Sequence, residues 1–191
     1  MTPAHPEAFE FLSKRRSRPA KLLAAPAPDR ETLRILLEVA SRVPDHGALV
    51  PWRFVVLPKS ECEKLAGLVA ARGLERDLDE EAISKAETLF TTTPLCVAVV
   101  QSPKESQKIP MSEQVYTAGA VCLSLVNAAL AKGWGANWIT GWPSYDSEIQ
   151  TRLGLTQEES IAGFIHIGTA PAVPPERPRP DVDALITEGI L

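Results

Sequence analysis

The chain is short of the residue types on which many chemistries depend. In 191 residues it has three cysteines, three histidines, two methionines and an aromatic content of 6%. Cys62, Cys96 and Cys122 are odd in number, far apart and set in apolar or helical patterns with no C-x-x-C spacing. A disulfide framework or zinc knuckle is therefore not expected, and the three read as buried thiols of a reducing compartment. His5, His46 and His166 do not fall at ligand spacing, and His166, inside an apolar strand pattern, reads as a hydrogen-bonded core residue. Also missing are G-x-G-x-x-G after a strand, a Walker A sequence, H-E-x-x-H and G-x-S-x-G. Metal catalysis and triad hydrolysis lose their support, and no residue is assigned as catalytic or metal-binding.

An excess of positive charge is lacking too. The formal net charge is −4 and the sequence pI about 5.5, which argues against general nucleic-acid or membrane-surface binding. The longest apolar segment, Ala118 to Ala131, is too short to span a bilayer and contains Asn127. The N-terminus shows no basic start followed by an apolar stretch, so no signal peptide is expected and a cytoplasmic protein is.

What is present suits one domain over 1–191, because 45% apolar content can fill a sizeable core. Pro6 to Arg16 reads as a short helix with a cationic end. Leu33, Leu36, Leu37, Ala40 and Val43 give the period of an amphipathic helix with Asp29 as N-cap. Strands are expected at Trp52–Leu57, Leu95–Val100, Ala136–Thr140 and Ser160–Thr169, the second buried on both faces. Ser60-Glu61-Cys62-Glu63 spells a capping box opening a helix that Gly73 would stop. Glu75 to Phe90 reads as helical, Ser112 as the cap of a long helix over Glu113–Lys132, and Asp146 as the cap of another to Leu153. Five prolines between 170 and 180 predict an extended tail, and Asp181 to Leu191 reads as a last short element.

Two stretches stand out. Arg42-Val43-Pro44-Asp45-His46-Gly47-Ala48-Leu49-Val50-Pro51-Trp52 is a loop bracketed by prolines between a helix and a core strand. It is either a plain connector or a display loop for ligand-binding groups. Lys14, Arg15, Arg16, Arg18 and Lys21 concentrate positive charge in an otherwise acidic chain. Arginine with serine suits a phosphate dianion, whereas dipole complementarity of the helix end is the simpler account.

Taken in order, Arg15-Arg16-Ser17, Pro44-Asp45-His46 to Pro51-Trp52-Arg53-Phe54, a long small-residue helix and Gly135-Ala136-Asn137-Trp138-Ile139-Thr140-Gly141 resemble the FMN-dependent nitroreductases, in particular the short YdjA-like branch of NAD(P)H nitroreductases. The resemblance runs from about Phe9 to Thr169 and implies an α+β fold, a mostly antiparallel sheet flanked by helices. It implies an interlocked homodimer with FMN at the interface. It also implies NAD(P)H as donor and a nitroaromatic, quinone or similar small acceptor. By motif, Arg15, Arg16 and Ser17 would hold the FMN phosphate and ribityl end. Arg42 and His46 would reach the flavin from the other subunit, and Trp138, Ile139 and Thr140 would line it. Ala128, Ala129, Leu130, Ala131, Lys132 and Gly133 match the segment assigned to NAD(P). Val50 and Ile139 depart from relatives that carry Gln and Arg there, with Arg177 or Arg179 of the tail placed to compensate. A flavin-binding protein with weak or lost reductase activity, and an interaction module contacting phosphates of RNA or protein, are the alternatives.

Overall fold

The computed structural model describes residues 3–189. Its elements are α1 (Pro6–Lys14), α2 (Arg30–Ala40), β1 (Trp52–Pro58), α3 (Lys59–Glu75), α4 (Glu80–Thr92), β2 (Leu95–Gln101), α5 (Met111–Ala131), β3 (Gly135–Ile139), α6 (Ser147–Arg152) and β4 (Ser160–Gly168). The four strands form one sheet in the order β1-β2-β4-β3, and every neighbouring pair is antiparallel. This is the expected α+β architecture.

Strand β2 is buried along its whole length, as its unbroken apolar run requires. Alternation sends Leu95, Val97 and Val99 to one face, where they meet Leu36 of α2 and Val121, Leu125 and Ala129 of α5. It sends Cys96 and Ala98 to the other, against Leu65 and Val69 of α3 and Ala86 and Phe90 of α4. α5 is long and apolar enough to cross a membrane by length and composition. It is nevertheless a core helix, with Ala118, Val121, Cys122, Leu125 and Ala129 free of solvent. The three thiols are free and buried. Burial pushes Cys62 up to about 11 and Cys122 up to about 12, which leaves them unreactive near neutrality.

The caps divide into those the sequence announces and those it does not. Asp29 Oδ1 accepts from Thr32 N at 2.8 Å and Asp146 Oδ1 from Ile149 N at 3.0 Å, both as expected; Asp79 caps α4 the same way. The capping box at Ser60 does not form. α3 begins at Lys59 with Pro58 as its N-cap, because β1 runs into the helix without a loop. Ser112 is likewise inside α5, whose N-cap is Pro110. Gly73 does not stop α3; it is buried in the helix where a Cβ would lie 2.5 Å from Ile83 Cγ1, so it sets the approach of α3 to α4. The tail over 170–180 forms no helix or strand, in keeping with its five prolines. Beyond it only a single turn, Asp183–Leu185, forms among the described residues.

Arg53, facing out from β1, clasps Glu159 at the start of β4 through two N–H···O bonds of 2.7 Å. The guanidinium holds the Glu159 carboxyl down at about 2. Because the folded value lies below the ordinary one, the pair stabilises fully above about pH 4.5 and fades as pH falls toward 2. Arg53 is partly solvated, which screens the pair. Glu159→Gln should cost about 2 kcal/mol at pH 7 and almost nothing near pH 2, read from urea unfolding at the two pH values.

Candidate functional site

The loop after α1 is laid against the sheet edge by backbone ties. α1 ends where Arg15 turns extended. Arg18 N then donates to Ala136 O at 2.8 Å, stitching the loop to β3, and the Arg18 guanidinium donates to Arg16 O at 2.7 Å. Arg15 Nη2 donates to Ser17 Oγ at 3.1 Å. From the other side the Pro-rich tail returns. An Arg16 Nη1–H donates to Pro175 O and lies 3.4 Å from Glu176 Oε1, while Arg179 Nε donates to the same carboxylate at 3.0 Å.

These segments enclose a pocket of about 370 Å3. Arg15, Arg16 and Ser17 form one wall, Arg177 and Arg179 a second, Asn137 and Trp138 of β3 a third, and Leu123 and Val126 of α5 the base. Four arginines thus face one space, with Glu176 as the carboxylate paired to two of them. The consequence registers on Arg15: its guanidinium is lowered from the usual value by burial first, then by Arg179, Arg16, Arg177 and Arg18. Its buried Nε has no hydrogen-bond partner among the described residues. Such a site calls for a multiply charged anion.

Trp138 is placed by an irregularity of the sheet. The register between β2 and β4 slips so that Ala162 is skipped, which frees its carbonyl to accept the Trp138 indole N–H at 3.2 Å. The ring lies across Gly163, where a Cβ would come within 2.0 Å of the indole nitrogen. Only glycine leaves room for it.

The proline-bracketed loop forms a separate site. His46 Nδ1 lies 2.7 Å from Glu113 Oε2 of α5, and Thr117 Oγ1 donates to Pro44 O at 3.2 Å. Asp45 Oδ2 accepts from Val50 N at 2.8 Å, closing the loop on itself. Gly47, Ala48 and Val50 all have positive φ, 71°, 50° and 52°; for a β-branched valine that conformation is strained. Arg42 is exposed and makes no side-chain hydrogen bond among the described residues.

One chain therefore brings together Arg15, Arg16, Ser17, Trp138 and Arg179 of the expected set. Arg42 and His46 line no part of that pocket. Ile139 and Thr140 line a cavity on the opposite face of the sheet. In the segment 128–133, Ala128 and Ala129 are core positions. Leu130 borders a groove of about 460 Å3 that shares Arg15 and Arg16 with the cationic pocket, and Ala131, Lys132 and Gly133 are exposed. Sequence reasoning missed Asn137, Leu123 and Val126 as pocket walls; Val126 carried only a core-stripe signal.

The Nitroreductase family model matches residues 12–169. The Escherichia coli K12 protein named "Putative NAD(P)H nitroreductase YdjA" is 32% identical over 163 residues, 85% of this chain and 88% of that one. A Haemophilus influenzae relative named "Putative NAD(P)H nitroreductase" is 35% identical over 164 residues with the same coverage. The crystal structure of a nitroreductase-like protein from Bacillus cereus superposes with a TM-score of 0.80 over 99% of this chain and 100% of that one, at 22% identity. A nitroreductase with bound FMN from Bacteroides fragilis gives 0.71 over 97% of each chain at 18% identity. The chain belongs to the nitroreductase family.

Two outcomes test the local geometry. Gly163→Ala should eject the Trp138 ring, seen as a red shift and loss of intensity in its fluorescence in a background where the other tryptophans are replaced by phenylalanine. Val50→Gly should stabilise the protein by about 0.5–1 kcal/mol in chemical denaturation, since relief of the left-handed strain exceeds the entropy glycine adds to the unfolded chain.

Proposed function

We propose that the chain is an FMN-dependent oxidoreductase that carries hydride from NAD(P)H to a nitroaromatic, quinone or similar small acceptor, as a cytoplasmic homodimer. The observation that carries this reading is the convergence of Arg15, Arg16, Arg177 and Arg179 with Ser17 on one pocket flanked by Trp138. The orphaned Arg15 Nε and the mutual repulsion recorded on Arg15 are what a phosphate monoester would relieve. FMN carries that phosphate on a ribityl chain, and the residues present fit it.

Bound there, FMN would supply two-electron chemistry between a nicotinamide and the acceptor. The protein's own tasks are to hold and to shape. Arg15, Arg16, Arg177, Arg179 and Ser17 would anchor the phosphate, and Trp138 would pack beside the ribityl chain. Ile139 and Thr140 line the cavity on the opposite face of the sheet, so within one chain they would not touch a flavin seated in the cationic pocket. The groove bounded by Leu130 and the exposed end of α5 at Ala131, Lys132 and Gly133 offers the nicotinamide nucleotide an approach, whereas Ala128 and Ala129 would serve by packing alone. Arg42 and His46 are reserved for a second copy. Their loop is rigid, exposed and separate from the pocket of its own chain, so it would act across an interface.

That interface is supported by apolar surface. Phe9 and Leu12 of α1 are 76% and 57% exposed, and Leu123 on α5, beside the pocket, is 46% exposed. A second reading, a flavin-binding protein with weak or lost reductase activity, is favoured by Val50, an aliphatic side chain on the loop where a polar one would contact the ring.

The purified protein should be yellow, sediment as a dimer, and bleach under anaerobic NADH or NADPH. Retained colour without bleaching selects the second reading, and colourless protein that leaves added FMN fluorescence unchanged overturns both. Arg16→Ala should weaken FMN binding about 10- to 100-fold with the circular dichroism spectrum unaltered, because one charged hydrogen-bonding group is removed; unchanged affinity in a fluorescence titration would refute the phosphate assignment.

A further inference from the structure

Glu176 lines no part of the cationic pocket, yet its carboxylate is bound to two side chains that do. Its contacts run through a single oxygen. Oε1 lies 3.0 Å from Arg179 Nε and 2.8 Å from Arg179 Nη2, so it takes one edge of that guanidinium. The same oxygen lies 3.4 Å from Arg16 Nη1, whose other acceptor is Pro175 O, and accepts from its neighbour Arg177 N at 3.0 Å. Arg16 comes from the loop after α1 and Arg179 from the tail, so one carboxylate braces two walls of the pocket against each other. The hydrogen bond from the Arg177 N–H, then the guanidinium groups of Arg179 and Arg16, hold Glu176 below the usual carboxylate range and keep it ionised at neutral pH.

Building on the phosphate reading of this pocket, we propose that Glu176 is the built-in counter-ion of the empty site. It keeps the arginines together before a ligand arrives, then competes with the incoming phosphate for Arg16 and Arg179, so that the phosphate ester is held reversibly. Donor geometry carries the competition. Arginine pairs two oxygens of an anion along one edge of its fork, and the Nε/Nη2 edge of Arg179 is committed to Glu176. An N–H aimed at the carboxylate reaches the ligand only once the carboxylate gives it up. Charge decides which anion wins. A phosphate monoester brings about −1.5 to −2 charges and three acceptor oxygens, whereas Glu176 brings one charge and one engaged oxygen. The ester therefore displaces the carboxylate, at an affinity lowered by the bonds it breaks and by repulsion between the two anions.

The brace is placed to let go. The Glu176 side chain is 58% exposed against 15% for Arg16, so water takes over the released carboxylate while Arg16 stays largely covered. The bond from Arg16 to Pro175 O does not involve the carboxylate, and it holds the tail in place once Glu176 has been released. A tether of purely structural use would behave in the opposite sense: its loss would loosen the tail and weaken the ligand.

The test takes the full chain, dialysed free of small molecules, beside its Glu176→Gln variant, at about pH 8 where a phosphate monoester is a dianion. Both are titrated with FMN, followed by flavin fluorescence, and with phenyl phosphate, followed by phosphorus NMR; the second probe carries the phosphate and no flavin. Glu176→Gln keeps the shape, removes the charge and, at an exposed position, leaves the fold intact. The variant should bind both probes about 3- to 10-fold more tightly at low salt, with the gain shrinking in about 0.5 M salt. Glu148→Gln, which removes the same charge from α6 at its pair with Arg152, should change neither affinity. Unchanged or weaker binding of phenyl phosphate by Glu176→Gln, or an equal gain in Glu148→Gln, would overturn the proposal. Tighter phenyl phosphate binding with no FMN binding upholds the counter-ion and removes the flavin reading. FMN and phenyl phosphate each bound equally by parent and Glu176→Gln does the reverse.

Discussion

Strand β2 has no face to spare for solvent, and this one burial requirement arranges the molecule. An all-apolar strand must be covered twice, so α2 and α5 close one side of the sheet and α3 and α4 the other. With both faces committed to packing, polar chemistry is displaced to the perimeter. β3 is one of the two edge strands, and the loop after α1 and the returning tail both settle against it. The cationic pocket exists where it does because the centre of the sheet is closed to it.

That placement carries an electrostatic cost. Arginines 15, 16, 177 and 179 would separate if their backbones were free, so the fold has to hold them. It does so with the Arg18 N–H on Ala136 O, the Arg18 guanidinium on Arg16 O and the carbonyl of Pro175 on Arg16. The negative end of α1's own dipole offsets part of the charge on Arg15 and Arg16, and Glu176 a further part. The remainder is uncompensated among the described residues, which distinguishes a binding site from a helix terminus merely dressed with basic residues.

The fold was legible wherever a local rule acts alone. Short apolar runs bounded by proline, glycine or polar loops found the strands, period 3.6 found α2 and α5, and Asp29 and Asp146 cap because an Asx side chain needs only its own backbone. Ser60 and Ser112 misled because the chain enters α3 and α5 through Pro58 and Pro110, so each helix starts one residue before its serine. Arg15, Arg16, Ser17, Trp138 and Arg179 were legible as a set only through family resemblance. Nothing local reveals that Trp138 reaches its place through a skipped Ala162 and a bare Gly163. Equally hidden was His166 Nε2, buried without a hydrogen-bond partner among the described residues, since a lone histidine in a strand reads the same whether or not its far nitrogen finds a partner.

The strained loop extends this reasoning. Positive φ at Ala48 and Val50 costs stability, and the chain offsets it with the Asp45 contact to Val50 N and the His46 contact to Glu113, none of which touches the cationic pocket. Strain maintained by surrounding contacts, on a segment displaying a free arginine, fits a surface shaped for something outside its own chain. The exposed apolar residues point the same way. Leu123 both lines the pocket and stands in solvent, so a second copy covering α5 would bury that side chain and wall the pocket in one step. In the proposed dimer, apolar burial draws the subunits together, and the arginines and the strained loop acquire a common ligand only as a result.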